Sequence, residues 1–423
     1  MLSSEENELV TRTGPGTPGG ELLRRYWQPV ALCEELPVGG PPKEVRLLGE
    51  DLVLFRDDRG RPGLLGIHCS HRGADLSYGR VEDGGLRCVY HGWLYDVHGR
   101  CLEQPAEPKG SQFNEKIRHL AYPCQEAGGL ILAYMGPGEP PLLPAYPFLL
   151  APEAKRVTYR VFQECNYLQG NEGDIDPSHV SYLHRFFEES GRSAVVGSNV
   201  TANTLVTRDS APRLEVEETD FGLRIFALRK NADNKLYVRI SNFILPNLAA
   251  FSSQRPAGDG YGIHWHVPID DTSHWKFGVL FSRTKKLEED ERLRAMDPEV
   301  DPVDHGLKRN KANRYLQSRQ EMKEESYVGM GRSFLVHDAC VTEGQGPIQN
   351  RSAEHLGYGD KAIIAQRKLL LRAVRAVSQG HEPAHVIRNP TANQFLHLVA
   401  LGVVIPDSQD WRTVWNKYPQ TLS

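Results

Sequence analysis

No run of about 18 successive apolar residues occurs anywhere in the chain, so no membrane-spanning helix is expected. The first residues, MLSSEENELVTRTGPG, lack the apolar stretch of a secretory signal, and a cytoplasmic protein is the expectation. Long basic runs are also missing. With 50 Lys and Arg against 54 Asp and Glu, the net charge is −4 and no stripe is suited to tracking phosphates, which argues against nucleic acid as a partner. No G-x-G-x-x-G follows a strand-like segment, so a dinucleotide has no evident seat; GPGTPGG (14–20) reads as a turn. Cysteine is scarce. Seven (33, 69, 88, 101, 124, 165 and 340), an odd number thinly spread over 423 residues, exclude a disulfide framework and leave thiols free for metals.

What is present is an ordinary globular composition, 39% hydrophobic and 25% charged, on a chain long enough for two or three domains. From about Glu21 to Pro144 the pattern is short strands broken by Gly and Pro. EVRLLGEDLVLFRDDRGRPGLLG (44–66) contains a hairpin turn at Asp-Asp-Arg-Gly, and GGLILAYMG (128–136) is a further strand. GPGEPPLLPAYP (136–147), with five prolines, is a linker candidate. Beyond it, residues 166–188 read as helical. Alternating runs at 213–230, 235–245 and 261–269 predict an antiparallel sheet, and helices are expected at 305–326 and 360–379. In the last of these, Ile363, Ile364, Leu370, Leu371, Val374 and Val377 share one face, with Asp360 as N-cap and Gly380 as stop.

Two constellations carry chemistry. HCSHRGADLSYGRVEDGGLRCVYHGWLYD holds Cys69-x-His71, sixteen residues, then Cys88-x-x-His91. Zinc fingers pair cysteine with cysteine and histidine with histidine, whereas each loop here supplies one of each. That split suits a two-iron cluster with Cys69 and Cys88 on one iron and His71 and His91 on the other. Neutral imidazoles in place of two thiolates raise its reduction potential. Backbone N–H groups should reach the sulfurs, with glycines 73, 92 and 99 permitting the approach. A zinc knuckle is the competing reading.

The second constellation is Asp176-x-x-His179-x4-His184 in ECNYLQGNEGDIDPSHVSYLHRFFEES. Two histidines and a carboxylate on one side of a metal leave positions open for O2 and substrate. The histidines are five residues apart, about 140° around a regular helix, so a π-bulge or break is expected between them, and Pro177 adds irregularity.

CSHRGA and CVYHGWLYD resemble the cluster-binding loops of Rieske oxygenases, with Val89 where that family usually has proline. NYLQGNEGDIDPSHVSYLH, the opening ENELVTRTGPGTPGGELLRRYWQPV and DACVTEGQGPIQNRSAEHLGYGDKAIIAQRKLLL resemble the phthalate dioxygenase-like branch of those enzymes. The resemblance implies an all-β Rieske [2Fe–2S] domain (21–144). An α+β catalytic domain (145–423) with an antiparallel sheet of the helix-grip, START-like kind follows, and residues 1–20 pack with it. It implies mononuclear Fe(II) held by His179, His184 and a carboxylate about 150 residues downstream: Asp338, with Glu343 the competitor. It gives Asp176 the part of a bridge between a cluster histidine of a neighbouring subunit, His91 rather than His71, and His179. That carboxylate would orient both rings and shorten the electron path. A closed ring, trimer or hexamer, follows.

The activity so implied is that of a terminal oxygenase component, fed by a separate NAD(P)H-dependent flavin and iron–sulfur reductase. It would dihydroxylate an aromatic carboxylate with O2. Hydroxylation or O- or N-demethylation is the alternative within the class, and an electron-transfer or zinc-binding protein the alternative outside it. An anionic substrate in an apolar pocket requires a paired arginine. Arg208 and Arg239 are the candidates, with Tyr182, His274 and the aromatics of YGIHWHV (261–267) as other lining residues.

Overall fold

A computed structural model describes residues 1–187, 209–231, 234–253 and 257–418. Its N-terminal part is built from small antiparallel sheets. One takes strands Lys43–Leu47, Glu50–Arg56, Pro62–Gly66 and Ala121–Tyr122 in that order. The Asp-Asp-Arg-Gly turn closes as expected: Asp57 N–H bonds to the Arg61 carbonyl, and Gly60 N–H to the Asp57 carbonyl. Another sheet, Arg80–Glu82, Gly85–Arg87, Leu94–Tyr95 and Cys101–Glu103, stands beneath the two Cys/His loops. Val53, Phe55, Leu65, Leu86, Trp93 and Tyr95 form a core between these sheets, separate from the main core.

The second part is an eight-stranded antiparallel sheet with helices on it. In space the strands run Arg156–Gln163, His274–Phe281, Gly262–Pro268, Leu248–Phe251, Lys235–Ile244, Gly222–Asn231 and Arg213–Glu218, with Leu401–Pro406 also paired to Lys235–Ile244. Helix Lys361–Ser378 packs on helix Pro18–Arg24 and on strands Arg213–Glu218 and Gly222–Asn231; its Leu370, Leu371, Val374 and Val377 are buried, while Ile363 and Ile364 are only half-buried. It stops at Gly380 (φ +80°), as expected. Asp360 occupies the N-cap position, but its carboxylate turns back to the Gly357 N–H and caps nothing in the helix.

Two expected helices are corrected. Among the described residues of 166–188 α-helix forms only at Tyr167–Ile175, because Asp176 is extended ahead of Pro177, which disfavours helical backbone there. Residues 305–326 yield a 3-10 stretch, Lys311–Leu316, and one helical turn, Glu321–Glu324. Arg314 and Tyr315 adopt left-handed backbone and break the apolar periodicity that suggested a helix.

The N-terminal helix Ser4–Thr11 lies on the second part, where Tyr167 donates to the Val10 carbonyl and Arg351 to Asn7. No helix among the described residues is long and apolar enough to cross a membrane.

Candidate metal centres

The two Cys/His loops are near copies. The residue four after each cysteine is a glycine with φ +73° (Gly73, Gly92), whose N–H bonds back to the cysteine carbonyl at 2.8 and 3.0 Å. A residue with a Cβ is strained in that left-handed turn. Cys69 and Cys88 are both 3% exposed, whereas His71 is exposed and His91 half-buried, with ring centres 4.5 Å apart. His71 stacks on Trp93, and the Tyr95 hydroxyl lies 3.2 Å from Cys69 Sγ. Burial pushes the Cys88 thiol up, while N–H groups of Tyr90 and His91 on its sulfur pull it back. Thiols inside and imidazoles outside are what a cluster with unlike irons needs. Gly99 plays no part in this approach. It closes the Asp96–Gly99 turn, where a Cβ would sit 2.2 Å from the His119 carbonyl oxygen.

The second centre grows from the end of helix Tyr167–Ile175. Asp176 caps the turn that follows, accepting the Ser178 and His179 N–H groups at 2.7 and 3.2 Å. Its Oδ2 is 3.5 Å from His179 Nδ1 and its side chain is 21% exposed, so a second partner can still reach it. His179–Ser181 is a 3-10 turn; the chain breaks there without a π-bulge and brings the rings of His179 and His184 to 5.1 Å. Helix Phe334–Gly344 supplies Asp338, whose Oδ1 is 3.1 Å from His184 Nε2. Ligand atoms of His179, His184 and Asp338 lie within 4.8 Å of one another and could hold a metal ion.

The proton arrangement fits a cation there. The Gly331 carbonyl can only accept, so His337 Nε2 donates to it at 3.1 Å. His337 Nδ1 must then accept from His184 Nδ1, 3.3 Å away, which leaves His184 Nε2 as a bare lone pair. Burial pushes His184 down, toward its neutral form. A lone pair and a carboxylate facing each other at 3.1 Å repel unless a cation stands between them, and two histidines with one carboxylate suit Fe(II). His337 was not singled out in the sequence, although it directly precedes Asp338. Glu343 is turned away, accepting the Glu164 N–H at 3.0 Å and the Tyr315 hydroxyl.

Arg239 stands on Lys235–Ile244 opposite Ala227, diagonal to Arg229. His179 is raised, Asp176 overcoming its burial, and His184 is lowered by burial; the charge of Arg239 acts weakly against the protonated form of each. Burial, then Arg239, bring Arg229 down to about 10. Arg229 Nη2 donates to the Pro177 carbonyl at 2.6 Å, but its Nη1 and Arg239 Nε are buried without a hydrogen-bond partner among the described residues. Arg229 was missed because an arginine in an alternating strand ordinarily faces water. Arg208 lies outside the described residues. Tyr182 is exposed against Tyr327, and His274 is fully buried in another cluster.

That other cluster is Asp174, His264 and His266, whose ligand atoms also lie within 4.8 Å of one another.

Residues 26–123 match the family model of the Rieske [2Fe-2S] domain, and residues 133–421 that described as LigXa C-terminal domain like. The chain is 35% identical to the phthalate 4,5-dioxygenase oxygenase subunit of Pseudomonas putida, over 100% of this chain and 97% of that protein. It is also 35% identical to the 5,5'-dehydrodivanillate O-demethylase oxygenase subunit of a Sphingobium species, over 94% of this chain and 86% of that one. Among solved structures, the oxygenase in a ferredoxin complex of carbazole 1,9a-dioxygenase shares the fold, with a TM-score of 0.60 and 23% identity over 92% of this chain and 97% of that one.

Proposed function

The chain belongs to the Rieske-type aromatic-ring oxygenases, oxidoreductases with a [2Fe–2S] cluster and a mononuclear iron, and on that premise we propose that it oxygenates an aromatic carboxylate of the phthalate or substituted benzoate class. The observation that carries the substrate class is the pair Arg229 and Arg239. Two diagonal guanidinium groups beside the histidine pair, with buried N–H groups unused among the described residues, call for an anion. The iron, when bound, supplies a place for O2 to be reduced beside the substrate.

The residues then divide the work. Cys69, His71, Cys88 and His91 hold the cluster. His179, His184 and Asp338 hold the iron. His337 fixes the tautomer of His184, and Arg239 with Arg229 orients the carboxylate so that the ring faces the metal. Residues 21–144 form the cluster domain and 145–423 the catalytic domain.

Asp176 passes the electron between subunits. Within one chain no hydrogen bond or ring contact joins the cluster histidines to Asp176 among the described residues. Both places expose apolar surface: Tyr78, Val89 and Tyr90 around the cluster, and Tyr182, Tyr327 and Tyr358 around Asp176. A head-to-tail ring of three chains, or a hexamer of two such rings, would bury both and bring His91 of one chain to Asp176 of the next. A separate NAD(P)H-dependent flavin and iron–sulfur reductase delivers the electrons, and the enzyme works in the cytoplasm.

A panel of phthalates, benzoates and methoxy-aromatic acids tests the proposal, scored by NADH consumption coupled to product with the reductase present. Two atoms from labelled O2 in a cis-diol mean dihydroxylation; one atom with formaldehyde released means demethylation. Consumption uncoupled from product for every carboxylate would refute the substrate class. About three irons and two sulfides per chain are expected in the purified protein.

A further inference from the structure

The cluster around Asp174 is not used by the iron chemistry described above. Helix Tyr167–Ile175 presents Asp174 to strands Gly262–Pro268 and His274–Phe281. Asp174 Oδ2 lies 2.8 Å from His264 Nδ1 and 2.6 Å from His266 Nε2. His266 Nδ1 is 3.0 Å from His274 Nε2, and His274 Nδ1 is 2.8 Å from the Cys165 carbonyl oxygen. At the other end the Tyr159 hydroxyl is 3.1 Å from His264 Nε2. His266 and His274 are fully buried. The helix leaves room for them only through Gly170, where a Cβ would lie 2.6 Å from His266 Nδ1 and 2.8 Å from His274 Nε2.

Counting protons along this chain leads to a specific result. A carbonyl and a carboxylate can only accept. Four contacts (Cys165 with His274, His274 with His266, His266 with Asp174, His264 with Asp174) therefore each need an imidazole N–H. Three neutral imidazoles hold three. The fifth contact uses the hydroxyl proton of Tyr159. All four are made only when His266 or His274 carries a second proton.

We propose that Asp174, His264, His266 and His274 together hold one proton more than three neutral imidazoles carry, a buried proton store beside the site of oxygen reduction. The proposal rests on the oxygenase reading, which sets the demand. Substrate, O2, two electrons and two protons yield a diol, or a hydroxylated product and water. The reductase provides the electrons; the protons must be supplied as the oxygen is reduced. Tyr159 packs against the apolar cluster that includes Leu335, Val336 and Ala339 of the helix that carries Asp338.

The groups facing His266 are Asp174, His264, His274 and Lys276. Burial pushes His266 down to about 4 and His274 well below the usual range, with Asp174 pulling both back up, so burial opposes the fourth proton, and the hydrogen bonds of the chain must hold it. Asp174, His264 and His266 could instead grip a divalent metal in place of the fourth proton. Lys276, 1% exposed with its ammonium 3.8 Å from Asp174 Oδ1, argues against a further double charge on that carboxylate.

Neutron diffraction from perdeuterated holoenzyme crystals counts the protons directly. Four deuterons over the three rings support the store. Three deuterons, or a metal scattering beside Asp174, overturn it. A second arm uses single turnover. Asp174→Asn removes the charge that draws in the fourth proton and should slow product formation about tenfold or more while raising the solvent isotope effect, with iron, sulfide and substrate affinity unchanged. An unaltered rate and isotope effect would refute the role in turnover. Should that variant fail to fold, the deuteron count on the unaltered protein still decides. The substrate panel succeeds or fails independently of either arm.

Discussion

At the scale of single residues, the site depends on carboxylates and guanidiniums with unfinished contacts. Asp176 is held by two backbone N–H groups yet keeps 21% of its side chain open, which is what a bridge to another subunit requires. Asp176→Asn keeps the size and loses the charge. Turnover should fall by at least about 100-fold while iron and sulfide per chain stay at wild-type levels, as read by metal analysis beside product assays. Arg239→Gln should act on a different quantity. Loss of a charge-assisted contact to a carboxylate raises KM for an aromatic acid about 10- to 100-fold, while a neutral analogue is affected little. Equal effects on both substrates would place Arg239 outside the binding site.

At the scale of elements, helix Tyr167–Ile175 holds the geometry. It delivers Asp174 to one cluster and ends at Asp176 for the other, and a buried ion network fixes it in place. Glu172 meets Arg351 at 2.8 Å and Arg367 at 2.6 Å, and Arg367 also reaches Glu354. Removing the one carboxylate leaves two buried guanidiniums short of a partner, so Glu172→Gln should cost about 3–5 kcal/mol, measured by denaturant unfolding. Burial alone would raise this carboxyl, but Arg351 and Arg367 overcome it and hold Glu172 below the usual range. A depressed folded value makes the contribution complete above the unfolded value, about 4.3, and progressively lost as pH falls below it. The stability gap between wild type and variant should therefore be level at neutral pH and close on acidification.

At the scale of the whole molecule, the proposed ring makes catalysis a property of two chains. A His91→Ala chain lacks a working cluster and a His179→Ala chain lacks a working iron site, so each alone should be inactive. Mixed at random in one ring, half the chains keep iron and half of those sit beside a chain with its cluster. Co-expression should then restore about a quarter of wild-type turnover per chain. No recovery from co-expressed chains that assemble normally would mean that electrons stay within one polypeptide.

The sequence by itself determined the parts that depend on local chemistry. The cluster loops were readable because ligands, spacing and turn glycines lie within one segment of 29 residues (68–96). The break between His179 and His184 was readable because helical geometry forbids two ligands five residues apart on one face. Strand runs with clean alternation, such as 235–245, also kept their predicted form. Only the tertiary structure decided the rest. It placed Asp338 against His184 and turned Glu343 to Tyr315, a choice between two carboxylates on one helix that spacing leaves open. It made Arg229 a buried partner of Arg239 and gathered Asp174, His264, His266 and His274 into one chain from three elements. The physical reason is the same each time. Local backbone preference acts over a few residues, whereas which polar group is buried, and beside which partner, depends on contacts between elements, from adjacent strands (Arg229 and Arg239) to segments 92 residues apart (His266 and Asp174).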